Sequence, residues 1–197
     1  MSYTTIYAFD AKGNSQSYAT FRNSWRFCPV IWKYFEDKYL PPLRPDYIPK
    51  HIADSDVERF LGYKPSRTLS LPKGPNFDDF SDQQEIWNLA GDINIPLNER
   101  IVLCSTFDNM IVRIDEVDRV IAAFREFEGE TSLGEQADIL ERIKNEEKYI
   151  AVAWHQTNLC ESPWCVYDEA KEDYNPYNLN SGSKHHFLFD ELEEASK

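Results

Sequence analysis

The chain has 197 residues, of which 42% are hydrophobic and 14% aromatic, and its formal net charge is −13. The apolar share is enough for a packed core and excludes a disordered chain, while the acidic charge argues against direct binding to nucleic acid. No run of about 18 apolar residues is present, and the first residues lack the basic and apolar segments of a secretory signal, so we expect a cytoplasmic protein that does not span a membrane.

The first predicted elements are a strand and a long aromatic helix. Residues 4–9, TTIYAF, favour a strand and precede the turn sequence DAKGN. Pro29 follows in an apolar stripe and predicts a kink, because proline lacks an amide hydrogen and crowds the preceding turn. The stripe recurs at steps of three and four residues, as on one face of a helix: Tyr18, Phe21, Trp25, Cys28, Trp32, Phe35 and Tyr39. We predict a long kinked N-terminal helix packed in the core, and not a ligand site.

Residues 41–80 are rich in proline and predict an irregular insertion. Seven of the eleven prolines lie in this stretch, which leaves room for one short helix near residues 55–61. Irregular segments of this length are either functional or wrapped over the surface of a domain. No repeats appear, so the prediction is a single domain over residues 1–197 with an insertion at about 41–80.

The second half predicts a β-hairpin, two helices and further strands. Residues 99–114, ERIVLCSTFDNMIVRI, alternate as two strands around a turn at Asp108–Asn109. Two amphipathic segments, 116–129 and 131–148, follow and predict an αα-hairpin. Residues 149–154, YIAVAW, are typical of a buried strand. The class predicted is α+β, with a largely antiparallel sheet, the kinked N-terminal helix and the αα-hairpin.

The negative charge is concentrated in the second half of the chain. Residues 1–114 carry 14 acidic and 13 basic side chains, whereas residues 115–197 carry 20 acidic and 8 basic ones, so the two parts differ as −1 and −12. A surface of this sign attracts basic proteins, including those that bind nucleic acid. The common alternative is that acidic residues serve solubility.

The predicted αα-hairpin carries the candidate binding residues. Glu135, Asp138 and Glu141 are spaced three apart, about 4.5 Å per step along a helix, which loosely matches the phosphate spacing of about 3.4 Å along one DNA strand. An ordinary solvated helix face is the alternative. The full candidate set for partner binding is Glu126, Glu128, Glu130, Glu135, Asp138, Glu141, Glu146 and Glu147.

A zinc or thiol site is the alternative from a different class. His155, Cys160 and Cys165 are spaced as H-x4-C-x4-C, and thiolate and imidazole are the ligands that zinc prefers. His185 or His186 would have to supply a fourth ligand, and the usual C-x2-C pair is missing. The acidic surroundings disfavour a thiolate nucleophile. We therefore predict no cofactor, no metal and no catalytic residue.

Several segments together resemble a group of small proteins from phages, prophages and mobile elements that have no assigned activity. The segments are YAFDAKGN, FRNSWR, KYLPP, IVLCSTFDN, FEGETSLGEQADIL and AVAWHQT, and they span most of the chain. The resemblance implies no catalytic residues. It implies a genetic context in which short acidic proteins often block host defences, as anti-CRISPR and antirestriction proteins do.

These observations predict an accessory protein that acts by protein–protein interaction in the host cytoplasm. The expected partner is a basic nucleic-acid-binding host protein or complex of a defence system, and the chain itself is expected to bind no nucleic acid. Two alternatives stay open, a zinc- or thiol-dependent enzyme using the region of His155, Cys160 and Cys165, and a phage structural or assembly component. The oligomeric state is not predicted.

Overall fold

The computed structural model describes residues 3–22, 26–44, 48–49, 51–68, 81–107, 110–156, 165–176, 178–180 and 186–194. The strands in these ranges are β1 (Tyr3–Asp10), β2 (Ser15–Arg22), β3 (Leu43–Arg44), β4 (Arg67–Thr68), β5 (Met110–Arg113), β6 (Tyr149–Gln156), β7 (Cys165–Asp168), β8 (Asp173–Pro176) and β9 (His186–Phe187). The helices are α1 (Cys28–Tyr39), α2 (Asp54–Leu61), α3 (Ser81–Asn88), α4 (Leu97–Cys104), α5 (Val117–Glu126), α6 (Leu133–Asn145) and α7 (Leu188–Glu194). None of these helices has the length and apolar character needed to cross a bilayer.

The α+β class agrees with the sequence, and the main sheet has five strands in the order β2-β1-β6-β5-β9. Three of its four pairings are antiparallel, while β5 and β9 pair in parallel, so the sheet is mixed. On one face, Trp154 of β6 packs edge-on against Phe124 of α5, with the ring centres 5.9 Å apart. On the other face, Phe9, Ile111 and Ala153 belong to a second apolar cluster. Both faces of the central strands are therefore buried.

The predicted long, kinked N-terminal helix is wrong. The first helix, α1, begins at Cys28, and the earlier part of the aromatic stripe lies in strand β2. The turn before β2 explains this: Asp10 Oδ1 accepts hydrogen bonds from the backbone N–H groups of Lys12 (2.8 Å) and Asn14 (2.9 Å). Gly13 has a φ of 80°, which glycine adopts without strain. The turn reverses the chain, so residues 15–22 pair with β1 as an antiparallel strand.

Pro29 marks the start of α1, where it causes no kink. The amides of Val30 and Ile31 both donate to the carbonyl of Phe27, at 3.0 and 3.1 Å. The first amides of a helix have no acceptor within it, so the missing N–H of a proline in the first turn breaks no hydrogen bond. Trp32 is only partly buried, and Trp25 lies outside the described residues.

The predicted β-hairpin at 99–114 is also wrong in its first half. Residues 97–104 form helix α4, which starts after Pro96, whose carbonyl accepts the amide of Arg100 at 3.1 Å. The second half, 110–113, is strand β5 as expected. The helix is buried on nearly every side from Arg100 to Cys104, so its sequence lacks the polar face that reveals a helical period.

The chain forms two compact units, residues 1–31 with 90–197, and residues 32–89. In the second unit, β3 and β4 pair in parallel, and Trp32 and Trp87 contact edge-to-face with ring centres 6.0 Å apart. Helix α2 ends at Gly62, whose amide donates to Glu58 in a left-handed cap. Residues 69–80 of the proline-rich stretch lie outside the described residues. A single domain with an insertion stays a prediction.

Candidate protein-binding surface

The two helices α5 and α6 form an antiparallel hairpin over one face of the sheet. Both are amphipathic, with Val120 and Phe124 among the buried residues of α5, and Ala137 and Leu140 among those of α6. The connection is short, and the backbone amide of Ser132 donates to the carbonyl of Arg26 at 2.7 Å. The acidic residues predicted for partner binding therefore lie on a firmly packed element.

A buried polar chain fixes α6 on the sheet. The indole Nε1 of Trp154 donates to Gln136 Oε1 at 2.9 Å, and Gln136 Nε2 donates to Ser132 Oγ at 3.0 Å. All three side chains are buried, and Trp154 and Gln136 are fully inaccessible. Buried polar groups that find their partners specify one arrangement, because any slip of the helix would leave them unpaired.

The middle of the predicted acidic row is neutralised by arginines. Glu135 pairs with Arg26 at 2.9 Å between Oε1 and Nη2, and Arg125 pairs with both Asp138 (3.2 Å) and Glu141 (2.9 Å). The hydrogen bonds that Arg125 donates to Glu141 and Asp138 raise its pKa above the ordinary value. Each of these carboxylates has a cation beside it, so the row presents less free negative charge than the sequence indicates.

The far end of the hairpin is partly neutralised as well. Glu146 contacts Lys148 at 2.8 Å, and hydrogen bonds from Lys148 and Tyr18 lower the pKa of its carboxyl. Glu147 is exposed and has a φ of 53°, where the chain turns from α6 into β6. Glu146 is therefore offset by a cation, and the three remaining candidates, Glu126, Glu128 and Glu130, lie at the opposite end of the hairpin.

The acidic tip of the hairpin is residues 126–130, EFEGE, which are the last residue of α5 and the first four residues of the connection to α6. Glu126, Glu128 and Glu130 are exposed. Glu126 accepts a hydrogen bond from the neutral amide of Asn98. Within the described part of the chain, none of these three carboxylates has a Lys, Arg or His side chain within 4 Å, and no basic residue occurs between Arg125 and Arg142. The acidic tip thus keeps its full negative charge.

An open groove borders the acidic tip. Its volume is about 330 Å³, and it is formed by the start of α4 and the end of α5. The lining residues are Pro96, Leu97, Asn98, Glu99, Ala123, Glu126 and Phe127. Leu97 is 43% exposed, so part of its apolar side chain faces solvent. The groove places apolar surface directly beside the carboxylates of the acidic tip.

The residues of the predicted zinc or thiol site are only partly described. His155 is buried in β6 with its ring 6.0 Å from that of Tyr7, whereas Cys160 and the side chain of Cys165 lie outside the described residues. His186, a candidate fourth ligand, contacts Glu191 at 2.8 Å. Among the described side chains, no three His, Cys, Asp or Glu residues lie close enough to hold a metal ion. The zinc or thiol alternative therefore stays a prediction, because two of its three residues are not among the side chains that the structure describes.

Two further cysteines, Cys28 and Cys104, are buried free thiols. Burial raises the pKa of the Cys104 thiol to about 12. At neutral pH that thiol is protonated, and the protonated form is neither a nucleophile nor a metal ligand. Cys104 is thus a packed apolar side chain of α4.

Replacing His155 with glutamine is expected to reduce the acid sensitivity of folding. Burial lowers the pKa of His155, so below about pH 6.5 the unfolded chain binds a proton that the folded chain does not. The free energy of unfolding of the native chain should therefore fall as the pH drops from 7 to 5, and the variant should lose part of that slope. Urea unfolding at pH 7 and pH 5 measures this change in the free energy of unfolding. The variant His51→Gln, at an exposed histidine, is the control. An unchanged slope in His155→Gln would contradict this expectation.

Sequence reasoning located the acidic tip but missed what surrounds it. The buried pair of Trp154 and Gln136 and the groove at Leu97 and Phe127 were not anticipated. A glutamine on the apolar face of α6 was a usable signal, because a buried amide needs a buried partner. The groove gave no such signal, since it depends on how α4 packs beside α5.

Comparison of this chain with protein-family models, with curated proteins and with solved structures gives no match.

Proposed function

We propose that this chain acts by binding a basic, nucleic-acid-binding protein or complex through the acidic tip of its helical hairpin. The observation that carries the proposal is that no cation among the described residues pairs with Glu126, Glu128 or Glu130, in contrast to the arginine-paired Glu135, Asp138 and Glu141. The net charge of −12 in residues 115–197 also favours a basic partner.

Electrostatic attraction explains why the acidic tip suits such a partner. The three paired carboxylates contribute less to the field outside the protein, because Arg26 and Arg125 lie about 3 Å away and offset two of their three charges. Unpaired carboxylates on a rigid connection retain their field and accelerate association with a basic surface. The same field repels the phosphates of nucleic acid, so the partner in this proposal is a protein.

A more specific reading makes the chain an inhibitor of a nucleic-acid-directed defence system in a host cytoplasm. The resemblance to small phage and mobile-element proteins supports this reading, together with the charge of the hairpin. In that role the acidic tip occupies a surface that otherwise holds nucleic acid. Plaque formation on a defence-competent host, with and without expression of this chain, would test it.

The binding proposal is tested by capturing the partner and measuring the charge dependence of the complex. The purified chain is used as bait in host lysate, the captured protein is identified by mass spectrometry, and the purified pair is followed by kinetics from 50 to 300 mM salt. We expect association to slow by about tenfold or more over this range, and DNA or RNA to compete for the captured protein. A complex indifferent to salt and to nucleic acid, or direct binding of nucleic acid by this chain, would contradict the proposal.

A further inference from the structure

The groove beside the acidic tip combines apolar surface with carboxylates. Leu97, Ala123 and Phe127 contribute apolar atoms, and Glu99 and Glu126 contribute carboxylates. At about 330 Å³ it is open and small, with room for a few side chains rather than for a large ligand. Apolar surface at a rim of carboxylates is the arrangement found where a protein anchors a side chain of its partner.

The charges around the groove determine which partner fits it. Glu126 at its edge accepts a hydrogen bond from the neutral amide of Asn98, and Glu128 and Glu130 follow directly on the acidic tip. Arg125, the nearest basic residue along the chain, is already held by Asp138 and Glu141. An incoming cation would therefore find several carboxylates and little competing positive charge.

We propose that this groove holds a large apolar side chain of a partner protein, in a segment where lysine or arginine flanks that side chain. The inference rests on the proposed function and extends it by naming the anchor and the chemistry that it recognises. The apolar side chain packs against Leu97 and Phe127, and the flanking cations pair with Glu126 and Glu128. Charge attraction alone accelerates association from a distance, whereas the anchored side chain slows dissociation of the complex.

The same charges argue against a second copy of this chain as the occupant. Each copy carries a net charge of −13, so two acidic surfaces would meet at the interface. Like charges placed together across an interface oppose association. The basic segment of a different protein is the occupant that the groove favours.

The experiment uses three synthetic heptapeptides and amide chemical shifts of the full isotope-labelled chain. The first peptide has one phenylalanine between two pairs of lysines, the second replaces the phenylalanine with serine, and the third replaces the lysines with glutamates. We expect the first peptide to shift the amides of 97–99 and 126–128 at millimolar concentration, and each of the others to bind at least about fivefold more weakly.

A pair of chain variants provides the matched control. Leu97→Ser removes the apolar wall of the groove, whereas Ile93→Ser changes an exposed side chain four residues earlier that does not line the groove. We expect Leu97→Ser alone to weaken binding of the phenylalanine peptide, by about fivefold or more. Both variants are checked by thermal unfolding, so that loss of binding is not confused with loss of fold.

Four outcomes would overturn the inference. The first is equal binding of the phenylalanine and serine peptides at residues 126–130, which would leave the proposed function standing without an anchor. The second is that the glutamate peptide binds at the groove as tightly as the lysine peptide, which would show that the groove does not require lysine or arginine beside the apolar side chain. The third is the absence of any shift at the groove. The fourth is self-association, seen by sedimentation, that Leu97→Ser abolishes, because the occupant would then be a second copy.

Discussion

Replacing Trp154 with alanine is expected to lower the free energy of unfolding by about 3–5 kcal/mol. The side chain is fully buried and packs edge-on against Phe124 of α5. Its removal leaves a large cavity between sheet and hairpin, and it also leaves Gln136 Oε1 without its donor. Chemical denaturation followed by circular dichroism measures the change. The exposed neighbour Ile150→Ala should cost less than about 1 kcal/mol.

The conservative variant Trp154→Phe separates the packing of the indole from its hydrogen bond. Phenylalanine keeps much of the apolar volume but cannot donate to Gln136, so the expected loss is about 1–3 kcal/mol. The double variant Trp154→Phe, Gln136→Leu should lose less than the sum of the two single losses, since the indole N–H and its acceptor are removed together, while the hydroxyl of Ser132 loses Gln136 equally in the single and the double variant. A double variant that loses the sum of the two single losses would contradict a coupled buried pair.

Neutralising the acidic tip is expected to weaken the complex with the captured partner by about tenfold or more. The variant replaces Glu126, Glu128 and Glu130 with glutamine, and its net charge falls in magnitude from 13 to 10. The cause is local, because no cation among the described residues offsets these three carboxylates. Surface plasmon resonance at two salt concentrations measures affinity and association rate.

The matched control neutralises the middle of the hairpin in the same way. Glu135→Gln, Asp138→Asn and Glu141→Gln change the net charge by the same three units. The net charge is therefore the same in the two triple variants, which differ in the position of the change and in the loss of the ion pairs with Arg26 and Arg125. We expect the middle variant to bind more tightly than the tip variant. Equal losses would assign the effect to net charge alone and contradict the acidic tip as the contact surface.

The aromatic stripe shows where sequence periodicity reached its limit. Tyr18 and Phe21 fit a helical spacing with Trp32 and Phe35, yet they belong to a strand and the latter two to a helix. Aromatic residues can occur three or four apart by chance, in a short strand as well as in a helix. The turn at residues 10–14 decided the outcome, because its side-chain hydrogen bonds reverse the chain before a helix can start.

Helix α4 shows the opposite error, in which a helix has the composition of a strand. Its run of Ile101, Val102 and Leu103 is buried all round, and strand propensity then predicts the wrong element. Pro96, four residues before Arg100, was the available signal for a helix start. The two exposed helices that follow have polar faces, and their positions were predicted correctly.

The sequence predicted which acidic residues form the candidate surface, but not which of them are paired with a basic side chain. All eight acidic residues could be read from the sequence as exposed groups on or beside two helices. Their pairing could not be read, because Arg26 reaches Glu135 across more than a hundred residues of chain. The structure therefore moves the candidate contact from the regular row on α6 to the acidic tip, where no such partner exists among the described residues.

The position of β1 between β2 and β6 has a consequence for synthesis of the chain. Strand β1 can form its hairpin with β2 at once, but its other edge pairs with β6, as in the contact of Asp10 with Tyr149. At about 5–20 residues per second, a ribosome needs on the order of ten seconds or more to deliver that partner. During this interval the hairpin edge is open to wrong pairing, so folding late in translation depends on a long-range closure.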